Sequence, residues 1–281
     1  MGVMLGHNNY GKSRVRLLRV TRREKHHEIK DLTLAIRFEG DFEAAHTVGD
    51  NRKILATDTM KNTVYVLAKQ YSAEPVEDFA LHLVEHFLTY NPQVSRVRVD
   101  ATEHPWARIS FGGTAHPSAF IRSANEKRTA TVTATREATT VRAGIDDMVV
   151  LRTAKAAFEG FLRDPYTTLR ETSDRILSSA VRVSWLYSGN EVAYGPAWHG
   201  VRRTLLETFA DHDSRSLQHT LYAMGEAVLK SHDEIAEIRL SLPNKHYYLV
   251  DLSPFGLEND NEVFLPVDEP YGLIEATIKR Q

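Results

Sequence analysis

His82-Leu83-Val84-Glu85-His86 spells H-x-x-E-H, a spacing that sets two imidazoles on one face of a helix, where they could hold zinc. The same helix needs Phe79, Leu83 and Phe87 for packing, and the next obvious ligand would have to come from elsewhere. With 13 histidines in the chain, a chance pair four apart is the reading adopted, and no metal is expected. His26-His27 and His104-Pro105 fall in predicted turns, where solvated imidazoles are expected. The chain has no cysteine, which excludes disulfides, thiolate nucleophiles, iron–sulfur clusters and Cys-ligated zinc. No glycine-rich phosphate cradle or nucleotide fingerprint is present.

Longer motifs carry more information. Tyr10-Gly11-Lys12-Ser13 precedes the first strand, and Ala56-Thr57-Asp58-Thr59-Met60-Lys61-Asn62-Thr63 opens a helix that Thr57 or Asp58 is placed to cap. Phe158-Glu159-Gly160-Phe161-Leu162-Arg163-Asp164 leads through Tyr166-Thr167-Thr168-Leu169 to Asp174-Arg175-Ile176-Leu177. Ser216-Leu217-Gln218 begins another helix, and Ser241-Leu242-Pro243-Asn244-Lys245-His246-Tyr247 closes a strand.

The elements that must position these residues show in the hydrophobic periodicity. Leu32, Leu34, Ile36 and Phe38 alternate as in a half-buried strand, as do Val97 with Val99 and Ile238 with Leu240 and Leu242. Phe79, Leu83 and Phe87 recur at helical spacing, as do Val201, Leu205 and Phe209, and then Leu217, Leu221, Met224 and Val228. Glu85–Val99 and Glu226–Leu240 share this helix-to-strand grammar at an offset of 226 − 85 = 141, almost half the chain. Two tandem domains of strand-strand-helix-helix-strand-strand type are expected, over 10–143 and 144–281, with the break near Val141–Asp147. A small antiparallel sheet covered on one face leaves edges to be dealt with, so self-association is expected.

Bulk properties bound the function. Of 281 residues, 42% are hydrophobic and 26% charged, and the formal net charge of −2 favours neither nucleic acid nor an anionic membrane as partner. Basic residues gather at Arg14, Arg16, Arg19, Arg22, Arg23 and Lys25, as on the solvated face of a first hairpin. No apolar stretch approaches the ~20 residues of a membrane helix. The first ten residues lack a hydrophobic run, and the chain ends Lys279-Arg280-Gln281 rather than in a Ser-Lys-Leu address. The expected location is cytoplasmic.

Taken in order from Tyr10 to Ile278, the motifs resemble those of the urate oxidase (uricase) family. The resemblance implies an α+β tunnelling fold (T-fold): two tandem antiparallel-sheet domains, each with helices packed on one face. It also implies a homotetramer around a central barrel, with active sites at subunit interfaces. The implied chemistry is oxidation of urate by O2 to 5-hydroxyisourate and hydrogen peroxide, with no cofactor. Residue by residue, it assigns a proton relay to Lys12, Thr57 and His246. It gives ring stacking to Phe158, edge contacts to Arg175 and Gln218, and a backbone contact to Leu217. Asp58 falls in the same substrate-binding set, and Asn244 would hold oxygen or hydroxide above the ring. Ser173 and Pro165 depart from residues common in related enzymes, and leucine at 217 stands where valine is more usual.

Each of these residues alone has an ordinary alternative. Lys12 reads as a surface lysine, Thr57 as a helix cap and Phe158 as core. Arg175 reads as a partner of Asp174 or Glu171, Gln218 as solvated, and Asn244 and His246 as turn residues. Rival functions are a pterin-processing enzyme of the same fold, a non-catalytic oligomeric purine-binding protein, and a zinc hydrolase using His82 and His86. Gln218, where the pterin enzymes anchor their ring with glutamate, argues against the first of these.

Overall fold

Alternation of Leu32, Leu34, Ile36 and Phe38, all fully buried, builds β2 (His27–Gly40), which pairs antiparallel with β1 (Tyr10–Arg22). The computed structural model describes residues 2–280; Met1 and Gln281, the two ends of the targeting argument, lie outside the described residues. After β2 come a short α1 (Glu43–Thr47), then α2 (Thr57–Gln70) and α3 (Val76–Tyr90). The chain returns through β3 (Val94–Glu103), a hairpin of β4 (Trp106–Phe111) and β5 (Thr114–Arg122), and β6 (Lys127–Ala134). The sheet runs β1-β2-β3-β6, with β4-β5 as a separate ribbon. Phe79, Leu83 and Phe87 of α3 are fully buried, and α3 packs on β3 and β6 while α2 packs on β1.

The second series is β7 (Thr139–Arg152), β8 (Leu177–Tyr187), α4 (Tyr194–Asp211), α5 (Leu217–Ser231), β9 (Ile235–Leu249) and β10 (Phe264–Lys279). Its strand order is again sequential, β7-β8-β9-β10, and α5 packs on β9 and β10. Both series therefore read ββααββ once α1 and the β4-β5 hairpin are set aside as insertions. The offset of 141 carries Val76 and Tyr90, the ends of α3, onto Leu217 and Ser231, the ends of α5, and carries Val94 onto Ile235.

The equivalence extends to how the two helices stop. The Arg136 guanidinium donates to the carbonyls of Leu88, Asn91, Pro92 and Val94, at 2.8–3.4 Å. Arg280 does the same for Leu229, His232 and Ile235, at 2.6–3.3 Å. Leu88, Asn91 and Val94 are the residues that the offset carries onto Leu229, His232 and Ile235. A cation at a helix C-terminus satisfies orphan carbonyls and opposes the negative end of the macrodipole.

The chain separates into two compact units: the part up to Gly144 together with Leu186–Trp198, and Ile145–Trp185 together with the part from His199 onward. Leu186–Trp198 joins the first unit through a buried ion pair. Glu77, with no exposed surface, pairs with Arg128 at 2.6 Å, and Arg128 also donates to the Tyr194 carbonyl and lies over the Trp198 ring. Trp198 Nε1 in turn donates to the Gly144 carbonyl at 3.0 Å. Burial raises the Glu77 carboxyl, and burial with the nearby Asp78 and Glu77 pushes the Tyr194 hydroxyl up to about 12.

Candidate active site

On the first unit, Lys12 is set by three local features. Gly11 permits an approach of β1 to β2 that no side chain could share, since a Cβ there would lie 1.8 Å from the Ile36 carbonyl oxygen. Immediately after Lys12 the register slips: Lys12 opposes Ile36 while Val15 opposes Leu34, and Arg14 has φ of 57°. A bulge of this kind re-aims the side chains beside it. Because directly opposed residues share a sheet face, Lys12 lies on the face of Ile36, the one α2 covers.

The start of α2 is tied to the same place by Tyr10. Its hydroxyl accepts from the Leu55 amide at 2.9 Å and donates to the Leu55 carbonyl at 3.2 Å, and its ring meets Phe38 and Phe42 edge-on. Burial raises the Tyr10 hydroxyl's pKa, consistent with that packing. Two residues later comes Thr57, and here the capping expectation is corrected. The N-cap is Ala56, without a side-chain cap bond, so Thr57 and Asp58 lie inside the first turn. Among the described residues, neither the Thr57 hydroxyl nor the Lys12 ammonium makes a hydrogen bond. Asp58 is exposed and bonded to Lys61 and Asn62. The Lys61 hydrogen bond, then its charge, and lastly the charge of Lys12 hold the Asp58 carboxyl below its usual range.

On the second unit, the segment 156–158 is strapped on both sides. Ala156 bridges Ser214, and the Ala156 amide donates to Asp174 Oδ1 at 3.1 Å. Phe158 exchanges backbone hydrogen bonds with Thr172 at 2.8 and 3.2 Å. These links gather Phe158, Arg175 and the start of α5, where Ser216 caps the helix by accepting from the His219 amide at 3.1 Å. Leu217 is buried and Gln218 exposed, as the first two residues of that helix.

Arg175 lies with Cζ 5.4 Å from the Phe158 ring centroid and pairs with neither Asp174 nor Glu171. Its Nε is buried and finds no hydrogen-bond partner, and burial pushes the guanidinium below its ordinary pKa. A buried cationic N–H without an acceptor is a rarity that calls for one. An aromatic face, a planar cation and the open N–H groups of a helix start are together suited to a flat anion.

Asn244 and His246 are strand residues, not turn residues. They continue the row Ile238, Leu240 and Leu242 on the α5-covered face, at the point where β9 turns from apolar to polar. Opposite them β10 slips register between Val267 and Gly272, with Lys245 reaching Asp268 at 2.7 Å across the slip. The His246 ring lies 6.1 Å from that of Tyr248. Among the described residues, no hydrogen bond or ring contact joins Asn244 or His246 to the Phe158–Arg175 cluster.

The other histidines are engaged differently. His82 stacks on Tyr71 at 4.2 Å and His86 tilts against Tyr90 at 4.7 Å, in a groove of about 550 Å³ between α2 and α3. Among the described residues no group of three or more His, Cys, Asp or Glu is placed to hold a metal ion. His104, expected to be solvated, instead bonds Thr33 Oγ1 at 2.8 Å. No helix among the described residues is long and apolar enough to cross a membrane.

Tyr10, Asp174 and Phe161 stand in the sequence motifs, but their supporting roles were not read from them. The Phe-x-Gly-Phe spacing of 158–161 was the one signal available for the last.

Comparison with known proteins agrees with the order of the motifs. The sequence model of the family described as Uricase matches residues 8–133 and 141–275. The uricase of Arthrobacter globiformis is 48% identical over 279 residues, spanning 99% of this chain and 91% of its own. That of Aspergillus flavus is 38% identical over 287 residues, spanning 96% and 95%. The crystal structure of the Arthrobacter globiformis uricase superposes with a TM-score of 0.95, covering 100% of this chain and 96% of that one. The α+β tunnelling fold of two tandem antiparallel-sheet domains follows from that match.

Proposed function

The chain belongs to the uricase family, and we propose that it oxidises urate with O2 to 5-hydroxyisourate and hydrogen peroxide, without metal or organic cofactor. The observation that carries the reading is the Phe158–Arg175 pair, a ring wall beside a buried guanidinium N–H that lacks an acceptor. A urate anion stacked on Phe158 would supply that acceptor, and Gln218, able to donate and accept, would take the next polar edge.

Triplet oxygen reacts slowly with a singlet purine, but a further-deprotonated urate can give up one electron and then a second. Two electrons leave the purine and two electrons with two protons convert O2 to H2O2. Water then adds hydroxide at C5 and releases a proton. The chain's task is to remove protons and hold charge. In this reading Lys12 takes the proton through Thr57, whose hydroxyl is left unbonded by the Ala56 cap and lies at the positive end of α2. His246 orients the relay, and Asn244, two residues before it on the same face, holds O2 or hydroxide over the ring. The proposed domains, 10–143 and 144–281, carry the two half-sets, Lys12, Thr57 and Asp58 on the first and the remainder on the second. A homotetramer would complete each site at a subunit interface, in the cytoplasm.

The test is loss of urate absorbance with matching peroxide by chelator-treated protein in aerated buffer, with Lys12→Ala as the control. Turnover lost only in the variant upholds the reading. A folded wild-type protein that binds urate without turning it over would favour a purine-binding role, and one inert toward urate would refute the proposal.

A further inference from the structure

Phe158 is fixed at its backbone by the bridge to Thr172, but a bridge does not set the plane of a ring. Three residues on, Phe161 lies parallel to it, with centroids 5.0 Å apart and planes 11° from each other. That offset-stacked arrangement is a favoured one for two aromatic rings. The turn that folds Phe161 back onto Phe158 passes through Gly160 at φ of 68°, a conformation other residues adopt only with strain. The Gly160 amide donates to Glu171 Oε1 at 3.2 Å, and Glu171 also faces Arg163 at 3.8 Å. Arg163 completes the pile, its Cζ 5.1 Å from the Phe161 centroid. The hairpin tip has no such order of packing: Leu162 is 95% exposed and Tyr166 89%. Of the apolar side chains in this loop, Phe161 is the one laid on the candidate stacking wall.

We propose that Phe161 is a positioning residue: it sets the plane of Phe158 and so the orientation of the wall on which urate stacks. The inference rests on the urate reading given above. Phe161 touches no substrate in it and acts through Phe158. Loss of the parallel ring frees Phe158 to turn, which weakens stacking in the ground state and transition state alike. Substrate affinity therefore falls while the chemical step is kept.

The experiment compares wild-type protein with Phe161→Leu, Phe161→Tyr, Phe158→Leu and the double Leu variant, with Phe161→Met standing in if Phe161→Leu does not fold. Urate binding is titrated without oxygen, and KM and kcat are measured in aerated buffer. Phe161→Leu is expected to raise KM and Kd about three- to tenfold, the range an aromatic pair supports, with kcat within about twofold. Phe161→Tyr is expected to restore wild-type values. On the Phe158→Leu background the second substitution should cost little more, because the ring it positions is gone. Equal cost on both backgrounds, or parallel loss of kcat and thermal stability with unchanged KM, would overturn the proposal. Wild-type protein that neither binds nor oxidises urate would instead overturn the reading beneath it.

Discussion

Replacing Arg175 by methionine separates what the residue does for the fold from what it does for a ligand. The side chain is partly buried, is held by no carboxylate and leaves Nε without an acceptor. An unsatisfied buried donor costs about 1–3 kcal/mol, against which the contact with the Phe158 ring returns about 0.5–1 kcal/mol. Methionine of similar length removes both terms, so the ligand-free variant should be more stable by about 1 kcal/mol, or about 2–4 °C in melting temperature. With urate the sign reverses. At a concentration of about 100 Kd, wild-type protein gains about 2.7 kcal/mol from mass action. A guanidinium fork making two charge-assisted bonds is worth about 3–6 kcal/mol, so the variant should gain under about 0.4 kcal/mol at the same urate concentration. The assay is a pair of melts for each protein, with and without urate and in the absence of oxygen. A ligand-free variant that melts well below wild type would make Arg175 a structural residue. A variant still protected by urate would remove it from the site.

Other expectations follow from the same geometry. Gly11→Ala, whose methyl would meet the Ile36 carbonyl, should cost about 3 kcal/mol by urea midpoint and lower kcat more than tenfold by moving Lys12. His86, His104 and His212 all have pKa values lowered, first by burial, so each stabilises the fold while neutral. That contribution is complete above the unfolded value of about 6.5 and is lost as pH falls through the depressed folded values. Urea midpoints should therefore fall between pH 7 and pH 5, and His104→Gln should flatten the slope. Arg136→Ala and Arg280→Ala should each cost about 1–3 kcal/mol in chemical denaturation, by similar amounts, since each strands the three equivalent carbonyls, with Pro92 in addition for Arg136.

The parts of the fold legible in the sequence were those where one periodicity dominates a buried face. Leu32 to Phe38 and Leu217 to Val228 announce a strand and a helix because each buries one side only. The repeat was legible for the same reason. The β4-β5 hairpin was not, because its strands carry no alternation of buried residues; Ile109 and Phe111 are both exposed. The segment 241–247 reads as the close of a strand, with a turn after Pro243 as the alternative for Asn244 and His246; the strand in fact passes through that proline opposite Leu273 and continues to Leu249. The candidate site residues were assigned by resemblance in motif order, but what aims them was not legible. The bulge after Lys12 is a property of pairing with β2, and the cap at Ala56 is a backbone geometry that alanine does not advertise.

The two guanidiniums that close α3 and α5 show where the repeat is kept and where it is not. The carbonyls they meet are separated by 141 positions, yet Arg136 and Arg280 themselves are 280 − 136 = 144 apart, so a gapless self-comparison sets Arg136 against Thr277. What the halves hold in common is the destination of a cation, reached from different slots in the chain. A search for internal symmetry that scores letters in columns passes over this pair, while one that scores which carbonyls are met in space finds it.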